Sequence, residues 1–139
     1  MRKLITLMVL ACFILAGCEK QHPDLKGFDD LIGFWTTPVF EYNTDGKSIY
    51  TYSRDNTLLF DSMGIQFVNN GTLIERKNAG WCATPPITYD NYSGKWKIQN
   101  SDEIEIDVFY WGGMEHRIWK IIDVTPFTLK IEWISWETQ

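Results

Sequence analysis

The sequence contains few cysteines, few basic residues and no long apolar run. Among its 139 residues are three cysteines, and 13 Lys and Arg are outnumbered by 18 Asp and Glu. A nucleic-acid binder needs clustered basic side chains to contact phosphates, so we expect no nucleic-acid partner. The longest apolar run, residues 4–15, is shorter than the roughly 20 residues that cross a bilayer as a helix.

Motifs of catalysis and of tight cofactor binding are also missing. The sequence has no Gly-rich phosphate loop, no Gly-x-Ser-x-Gly and no Cys-x-x-Cys. Glu103, Glu105 and Asp107 alternate along one predicted strand, and only His116 could join them, from a position predicted beside Phe109. We therefore expect a solvated acidic face, no metal, no cofactor and no enzymatic activity.

The N-terminus has the layout of a secretory signal: Arg2 and Lys3, then an apolar run that ends in small residues. The sequence Leu-Ala-Gly-Cys at 15–18 resembles the lipobox of bacterial lipoproteins. This resemblance implies cleavage before Cys18 and modification of Cys18 by acyl chains such as palmitate. The alternative is an uncleaved membrane helix, for which the run is short.

The predicted organisation is a signal peptide at 1–17, an acylated cysteine with a flexible tether at 18–30, and one domain at 31–139. The mature chain of 122 residues would have 11 basic and 18 acidic residues, a net charge of −7. Its acyl chains, and not its charge, must therefore hold it to the membrane. Glu19 favours outer-membrane sorting by the same resemblance, with a periplasmic or surface-facing domain. Cys82 has no partner for an internal disulfide.

From residue 31 onward the sequence is typical of β-strands, with short segments rich in branched and aromatic residues between turn residues. A short helix is expected at 28–32. The pattern predicts an all-β, antiparallel up-and-down barrel of about eight to nine strands. The predicted strands are 32–41, 47–53, 56–60, 63–69, 72–78, 92–99, 103–111, 114–123 and 127–136.

Two glycine-containing turns predict the register of their hairpins. Asn70-Gly71 and Gly112-Gly113 suit type I′ turns, whose two central residues have positive φ. With Gly112-Gly113 as the loop, Ile106 would lie opposite Trp119. One face of the last three strands would then be apolar, with the inward side chains Ile104, Ile106, Val108, Trp119, Ile121, Leu129, Ile131 and Trp133 and a single cation, Arg117.

Several segments together resemble the small lipocalin-like lipoproteins of bacteria. They are Gly-Phe-Trp at 33–35, Phe-Val-Asn-Asn-Gly-Thr-Leu at 67–73, Gly-Lys-Trp-Lys-Ile at 94–98, and Ile-x-Ile-x-Val at 104–108. The resemblance covers about residues 31–134 and implies a small lipocalin-like barrel. Lipocalins also have an Arg near the last strand that packs on the first-strand Trp. The only late Arg here is Arg117, one strand too early.

Small barrels are either filled by side chains or hold one ligand. If this barrel holds a ligand, the predicted binding residues are Trp119, Trp133, Phe67 and Ile106 as walls, with Tyr110 and Arg117 as polar anchors. Arg117 could bind a ligand carboxylate. Alternatively, it stacks on Trp133 or pairs with Glu115.

Two functional classes remain open. The first is a non-enzymatic lipoprotein that binds a small apolar or amphipathic ligand. The second is a protein-interaction module, or an accessory subunit of an envelope assembly, which the surplus of aromatic residues favours. The loop at 78–91, with Trp81 and Tyr89, could cover a barrel mouth.

Overall fold

The computed structural model describes residues 28–80 and 84–139, and these residues form an all-β domain. The elements in chain order are a 3₁₀ helix (Asp29–Leu31), β1 (Gly33–Tyr42), β2 (Ser48–Asp55), β3 (Gly64–Phe67), β4 (Thr72–Asn78), β5 (Tyr89–Ile98), β6 (Glu103–Tyr110), β7 (Gly113–Val124) and β8 (Thr128–Thr138). Within these ranges, no helix has the length and hydropathy to cross a membrane. The signal peptide, Cys18, Trp81 and Cys82 lie outside the described residues.

The strands close into an antiparallel barrel, as the sequence pattern predicted. The order around the barrel is β1-β2-β8-β7-β6-β5-β4-β3, and β3 pairs with β1 to complete the ring. Closure pairs the backbone of every strand on both sides, which removes the exposed edges of an open sheet. The prediction of an all-β antiparallel barrel of about eight to nine strands is confirmed, with eight strands in the described residues.

The up-and-down order holds from β3 to β8 and is interrupted at the first hairpin. β2 pairs with β8, while β1 lies between β2 and β3. β2 and β3 therefore run in the same direction on either side of β1. The segment 56–63 joins them without forming a strand, so the predicted strand at 56–60 is wrong.

Both glycine-containing turns differ from the predicted type I′ geometry. The backbone N–H of Val68 donates to the carbonyl of Thr72 at 3.0 Å, so the loop between them has three residues, 69–71. Within this loop only Gly71 has a positive φ, of 81°. The side chain of Asn70 instead accepts hydrogen bonds from the backbone N–H and hydroxyl of Thr72. Between β6 and β7 the loop is Trp111 and Gly112, because Tyr110 pairs with Gly113.

This turn shifts the β6–β7 register by two residues from the predicted one. Ile106 lies opposite Arg117, and Ile104 lies opposite Trp119. A shift of two residues keeps each side chain on its predicted face, since the side-chain period of a strand is two. The core therefore contains Ile104, Ile106, Val108, Trp119, Leu129 and Ile131, all fully buried as predicted.

One end of the barrel is closed by the 3₁₀ helix. Leu31 is fully buried, and its carbonyl accepts a 2.8 Å hydrogen bond from the indole N–H of Trp35. The guanidinium of Arg54 lies 4.1 Å from the Trp35 ring centroid and donates to the carbonyls of Ile32, at 2.9 Å, and Asp30. The Arg that packs on the first-strand Trp thus comes from β2, the strand inserted between β1 and β8.

The folded part begins earlier than residue 31. Phe28 is buried in the core, and Asp29–Leu31 form the 3₁₀ helix. The short helix expected at 28–32 is present as this 3₁₀ helix, and Phe28, which the predicted tether at 18–30 included, packs in the core.

Candidate functional site

The barrel interior holds a cavity of about 260 Å³ that is open on one side. It lies away from the 3₁₀ helix, toward the end where β4 and β8 finish and β2 and β7 begin. Its walls are mostly aromatic, with two tyrosines among them, and four charged side chains also line it. The lining residues are Tyr50, Tyr52, Met63, Glu75, Lys77, Glu115, Arg117, Trp133 and Trp136.

Strand alternation places the charged side chains inside. On β4, Leu73 is buried in the core, so Glu75 and Lys77 follow it on the inward face at period two. On β7, the same rule places Glu115 and Arg117 on the face of buried Trp119. Four ionisable groups therefore share one end of an otherwise apolar interior.

Arg117 and Glu75 form a buried bidentate ion pair. The Arg117 Nη1–Glu75 Oε1 distance is 3.0 Å, and the Nη2–Oε2 distance is 2.5 Å. Arg117 is 2% exposed and Glu75 is 8% exposed. The two parallel hydrogen bonds occupy the fork of the guanidinium, which is the group that could otherwise bind a carboxylate of a ligand.

Lys77 and Glu115 complete the network. Lys77 Nζ lies 2.9 Å from Glu75 Oε2 and 3.0 Å from Glu115 Oε2, and Arg117 Nε lies 3.6 Å from Glu115 Oε2. Two cations thus face two carboxylates. The four charged groups that line the cavity therefore sum to zero net charge.

The pKa values of the central pair reflect this pairing. Burial alone would raise the pKa of Glu75, but the charge and hydrogen bonds of Arg117, helped by Lys77, lower it. Burial opposes the charge of Arg117 as well, but Glu75 and then Glu115 raise its pKa. Both groups are therefore charged at neutral pH.

Three buried donors near this network have no hydrogen-bond partner among the described residues. They are Arg117 Nε and the indole nitrogens of Trp119 and Trp133. Arg117 and Trp133 line the cavity, whereas Trp119 lies in the core behind it. Buried donors without partners are uncommon in folded proteins, and each is costly.

An aromatic wall runs along one side of the cavity. Tyr50 stacks on Trp133 with ring centroids 5.2 Å apart, Trp133 stacks on Trp119 at 6.2 Å, and Trp119 stacks on Tyr52 at 6.1 Å. The guanidinium of Arg117 lies 5.4 Å from the rings of both Trp119 and Trp133. Tyr50, Tyr52 and Trp133 of this wall line the cavity, whereas Trp119 is fully buried behind them.

Of the six predicted binding residues, the structure places Arg117 and Trp133 at the cavity. Phe67, Ile106 and Trp119 are buried core side chains that do not line it. Tyr110 is half-buried at the end of β6, with its ring 5.8 Å from Lys77 Nζ, outside the lining.

The principal partner of Arg117 was not predicted from the sequence. Arg117 contacts Trp133 and Glu115 as predicted, but its bidentate partner is Glu75. The alternation from Leu73 to Glu75 would have placed that carboxylate inside. Its position opposite Arg117 depends on barrel closure, because β4 and β7 are not adjacent.

The acidic face of β6 also differs from its prediction. With the two-residue shift, His116 lies opposite Asp107, and its Nδ1 is 2.7 Å from Asp107 Oδ1 and 3.9 Å from Glu105 Oε1. These three side chains have ligand atoms within 4.8 Å of one another. Lys97 already binds Glu105 at 2.9 Å, so the groups satisfy one another and we assign no metal site here.

The loop before β5 is shorter than predicted. Tyr89 belongs to β5, so the connection from β4 spans residues 79–88. The predicted role of Trp81 in covering the mouth lies outside the described residues.

Comparison with known proteins gives no relative. No protein-family model, curated protein or solved structure matches this chain.

Proposed function

We propose that this protein is a non-enzymatic lipoprotein of the bacterial outer membrane whose barrel binds a small apolar or amphipathic ligand. The observation that carries the proposal is the 260 Å³ cavity, with aromatic walls and a few polar groups at one end of a closed barrel. Such a composition is typical of small-molecule sites. A lipocalin-like family membership, suggested by the sequence motifs, fits the same proposal.

The cavity chemistry supports binding and not catalysis. A general acid or base must be free to exchange its proton with a substrate. Here Glu75 is held by Arg117 and Lys77, and Glu115 is held by Lys77. The two carboxylates that reach the cavity are therefore committed to cations.

Ligand binding is tested by native mass spectrometry of the mature lipoprotein, released from detergent, with a panel of lipids, haem-like compounds and aromatic acids. Trp133→Leu removes part of the cavity wall and should abolish the complexes seen with the wild type. Trp111→Leu is the matched control, because Trp111 is half-exposed in the β6–β7 loop and does not line the cavity. Equal binding by both variants would contradict a ligand site in this cavity.

The anchor is supported by the lipobox-like residues 15–18 and is tested separately. Metabolic labelling with radioactive palmitate should mark the wild type and fail to mark Cys18→Ser. Cys82→Ser is the control and should be labelled normally. Labelling of Cys18→Ser would contradict the proposed anchor.

Exposed aromatic side chains favour a second candidate function, a protein-interaction module. Phe109 is 50% exposed and Trp111 is 53% exposed on the β6–β7 hairpin. Large exposed apolar groups often mark contact surfaces. Cross-linking from position 111 in cells should then capture a defined envelope protein, and the absence of any adduct would contradict this function.

A further inference from the structure

We propose that residues 39–42 of β1 bind an extended, basic segment of another protein, which adds to the sheet as an antiparallel strand. The site lies at the mouth of the barrel and does not depend on a ligand in the cavity. Three features lead to it: an unpaired backbone edge, exposed aromatic side chains beside this edge, and a carboxylate at each of its ends.

Closure gives β1 a neighbour on both sides along only part of its length. The pairing of β1 with β3 ends at Thr36 and Gly64, whereas its pairing with β2 continues to Tyr42. Between these two regions lies Thr37, with a φ of 48°, where the register with β2 shifts by one residue. A bulge of this kind bends a strand. Residues 39–42 therefore pair with β2 alone.

The hydrogen bonds of the β1–β2 hairpin identify the backbone groups that face this edge. The N–H of Asn43 donates to the carbonyl of Lys47 at 3.0 Å. Hydrogen-bonded pairs alternate along an antiparallel ladder, so Glu41 also bonds toward β2. The N–H and C=O groups of Phe40 and Tyr42 point to the opposite side, and they have no hydrogen-bond partner among residues 28–80 and 84–139. An extended chain supplies these missing partners.

The side chains along the edge favour an apolar residue at every second position of the added strand. Phe40 is 43% exposed and Tyr42 is 68% exposed, and their rings lie 4.7 Å apart. Both are on the inward face, because Phe40 lies opposite the cavity residue Tyr50, with ring centroids 5.1 Å apart. Directly opposite residues in an antiparallel pair share a face. The residues that bond to this edge therefore place their side chains against these two rings.

An unpaired carboxylate lies at each end of the edge. At one end, a cleft of about 300 Å³ is lined in part by Thr37, Pro38 and Asp61. At the other end, Asp45 lies in the β1–β2 turn. Both carboxylates are exposed, and neither forms an ion pair with a described residue. Arg76 hydrogen-bonds the carbonyl of the residue before Asp61 and an amide oxygen instead of this carboxylate.

The lysines of this region do not neutralise the two carboxylates. Lys47 Nζ lies 2.6 Å from Glu132 Oε1, and Lys130 Nζ lies 2.8 Å from Glu41 Oε1. The charge that remains at the ends of the edge is negative, which favours a segment with basic residues at its ends. A second copy of this chain would bring the same carboxylates to the interface and is disfavoured.

The test uses a fluorescently labelled heptapeptide, Lys-Val-Thr-Val-Thr-Val-Lys, which is long enough to span residues 38–44. Its affinity for the mature lipoprotein in phosphatidylcholine nanodiscs is measured by fluorescence anisotropy, with empty nanodiscs as the blank. The matched peptide Glu-Val-Thr-Val-Thr-Val-Glu has the opposite charges and should bind about tenfold more weakly. No binding by the lysine peptide, or equal binding by both, would overturn the proposal.

Backbone methylation of the peptide tests the strand pairing. In the proposed pairing the valines face the rings, and their N–H groups bond to β1, whereas the N–H groups of the threonines point away. Methylating the amide nitrogens of two valines should weaken binding at least about tenfold more than methylating those of the two threonines. Equal effects would overturn the added strand.

Two variants at one position test the same bonds from the protein side. Tyr42→Pro and Tyr42→Ala both lose the ring, but only Tyr42→Pro loses the outward N–H. Proline is tolerated in a strand where its N–H would face solvent. Tyr42→Pro should bind the lysine peptide about fivefold more weakly than Tyr42→Ala, and urea unfolding of both variants verifies that they are folded. Equal affinity of two folded variants would overturn the assigned edge.

The assigned charge and the assigned occupant have their own controls. Asp61→Asn should weaken the lysine peptide by about twofold to fivefold. Asp123→Asn should leave its binding unchanged, because Asp123 is exposed at the opposite end of the barrel and forms no ion pair with a described residue. Equal losses in these two variants would overturn the role of Asp61. A wild-type dimer that Tyr42→Pro converts to a monomer in sedimentation would assign the edge to a second copy and overturn the basic partner.

Discussion

The ion pair between Arg117 and Glu75 offers the sharpest test of the interior. Glu75→Leu removes a carboxylate that is 8% exposed and leaves Arg117 buried, with the Glu115 carboxylate 3.6 Å from its Nε. An arginine cannot release its proton to escape this environment. Breaking a buried pair typically costs about 3–5 kcal/mol, and we expect Glu75→Leu to lie in this range.

The partner variant should cost less. After Arg117→Met, Glu75 keeps Lys77 at 2.9 Å, and a carboxylate can also take up a proton. We therefore expect a loss near the lower end of the same range, about 3 kcal/mol or less.

The double variant gives the decisive comparison. Glu75→Leu with Arg117→Met leaves Lys77 and Glu115 paired at 3.0 Å and replaces the other pair by apolar side chains of similar size. Such replacements are often close to neutral, so we expect a loss of about 1 kcal/mol or less. The sum of the two single losses in unfolding free energy would then exceed the loss of the double variant by several kcal/mol. A coupling energy of this size is expected only for groups in contact.

The assay is urea unfolding at pH 7, followed by tryptophan fluorescence and circular dichroism, with the slopes compared between variants. The exposed pair Lys130–Glu41, at 2.8 Å, is the matched control. Glu41→Leu with Lys130→Met should show a coupling of at most about 1 kcal/mol. The reasoning is refuted if Glu75→Leu costs no more than Glu41→Leu, or if the losses of the buried pair simply add.

The pH dependence has a defined sign. Because the folded-state pKa of Glu75 is lowered, its contribution to wild-type stability is present above its unfolded pKa of about 4.3 and is lost as the pH falls through the folded value. Arg117→Met removes the largest cause that lowers this pKa, so the pKa of Glu75 rises relative to the wild type. The difference in unfolding free energy between wild type and Arg117→Met should shrink from pH 7 to pH 4. A constant or widening difference would contradict the assigned pairing.

Two further predictions concern the barrel itself. Arg54→Ala removes the stack on Trp35 and two hydrogen bonds to the 3₁₀-helix segment, and should lower the unfolding free energy by about 2 kcal/mol, whereas Arg54→Lys should restore only part of it. Gly94→Ala would place a Cβ 2.4 Å from the carbonyl oxygen of Asp107 and should cost about 1–3 kcal/mol or more in the same unfolding assay. Gly80→Ala is its control, because a Cβ at Gly80 meets nothing within 4 Å. Equal losses for Gly94→Ala and Gly80→Ala would show that β5 and β6 are not this closely paired.

The predictions made from sequence succeeded where one strand carries its own pattern. Ile104, Ile106 and Val108 alternate with charged residues, and all three are buried as predicted. The segment 56–60 failed because a short apolar stretch is compatible with either a strand or a loop. The β6–β7 register failed by two residues because the choice of turn, Trp111-Gly112 in place of Gly112-Gly113, leaves the pattern of inward side chains unchanged.

The candidate site shows the same difference between what a single strand indicates and what depends on contacts between strands. Arg117 stood out in the sequence as a lone cation on an apolar face, and it does line the cavity. Its pairing with Glu75 joins residues 42 positions apart on strands that are not neighbours. No local pattern specifies such a contact, since it requires the whole barrel to close.

By itself, the sequence determined that this chain forms antiparallel strands with an apolar inner face, because side-chain direction alternates with every residue in a strand. The tertiary structure alone decided that β2 lies between β1 and β8, that Arg54 packs on Trp35, and that four charged side chains meet beside an aromatic wall. Each of these depends on contacts between strands far apart in the chain. Their free energy comes from burial and pairing that exist only once the ring is complete.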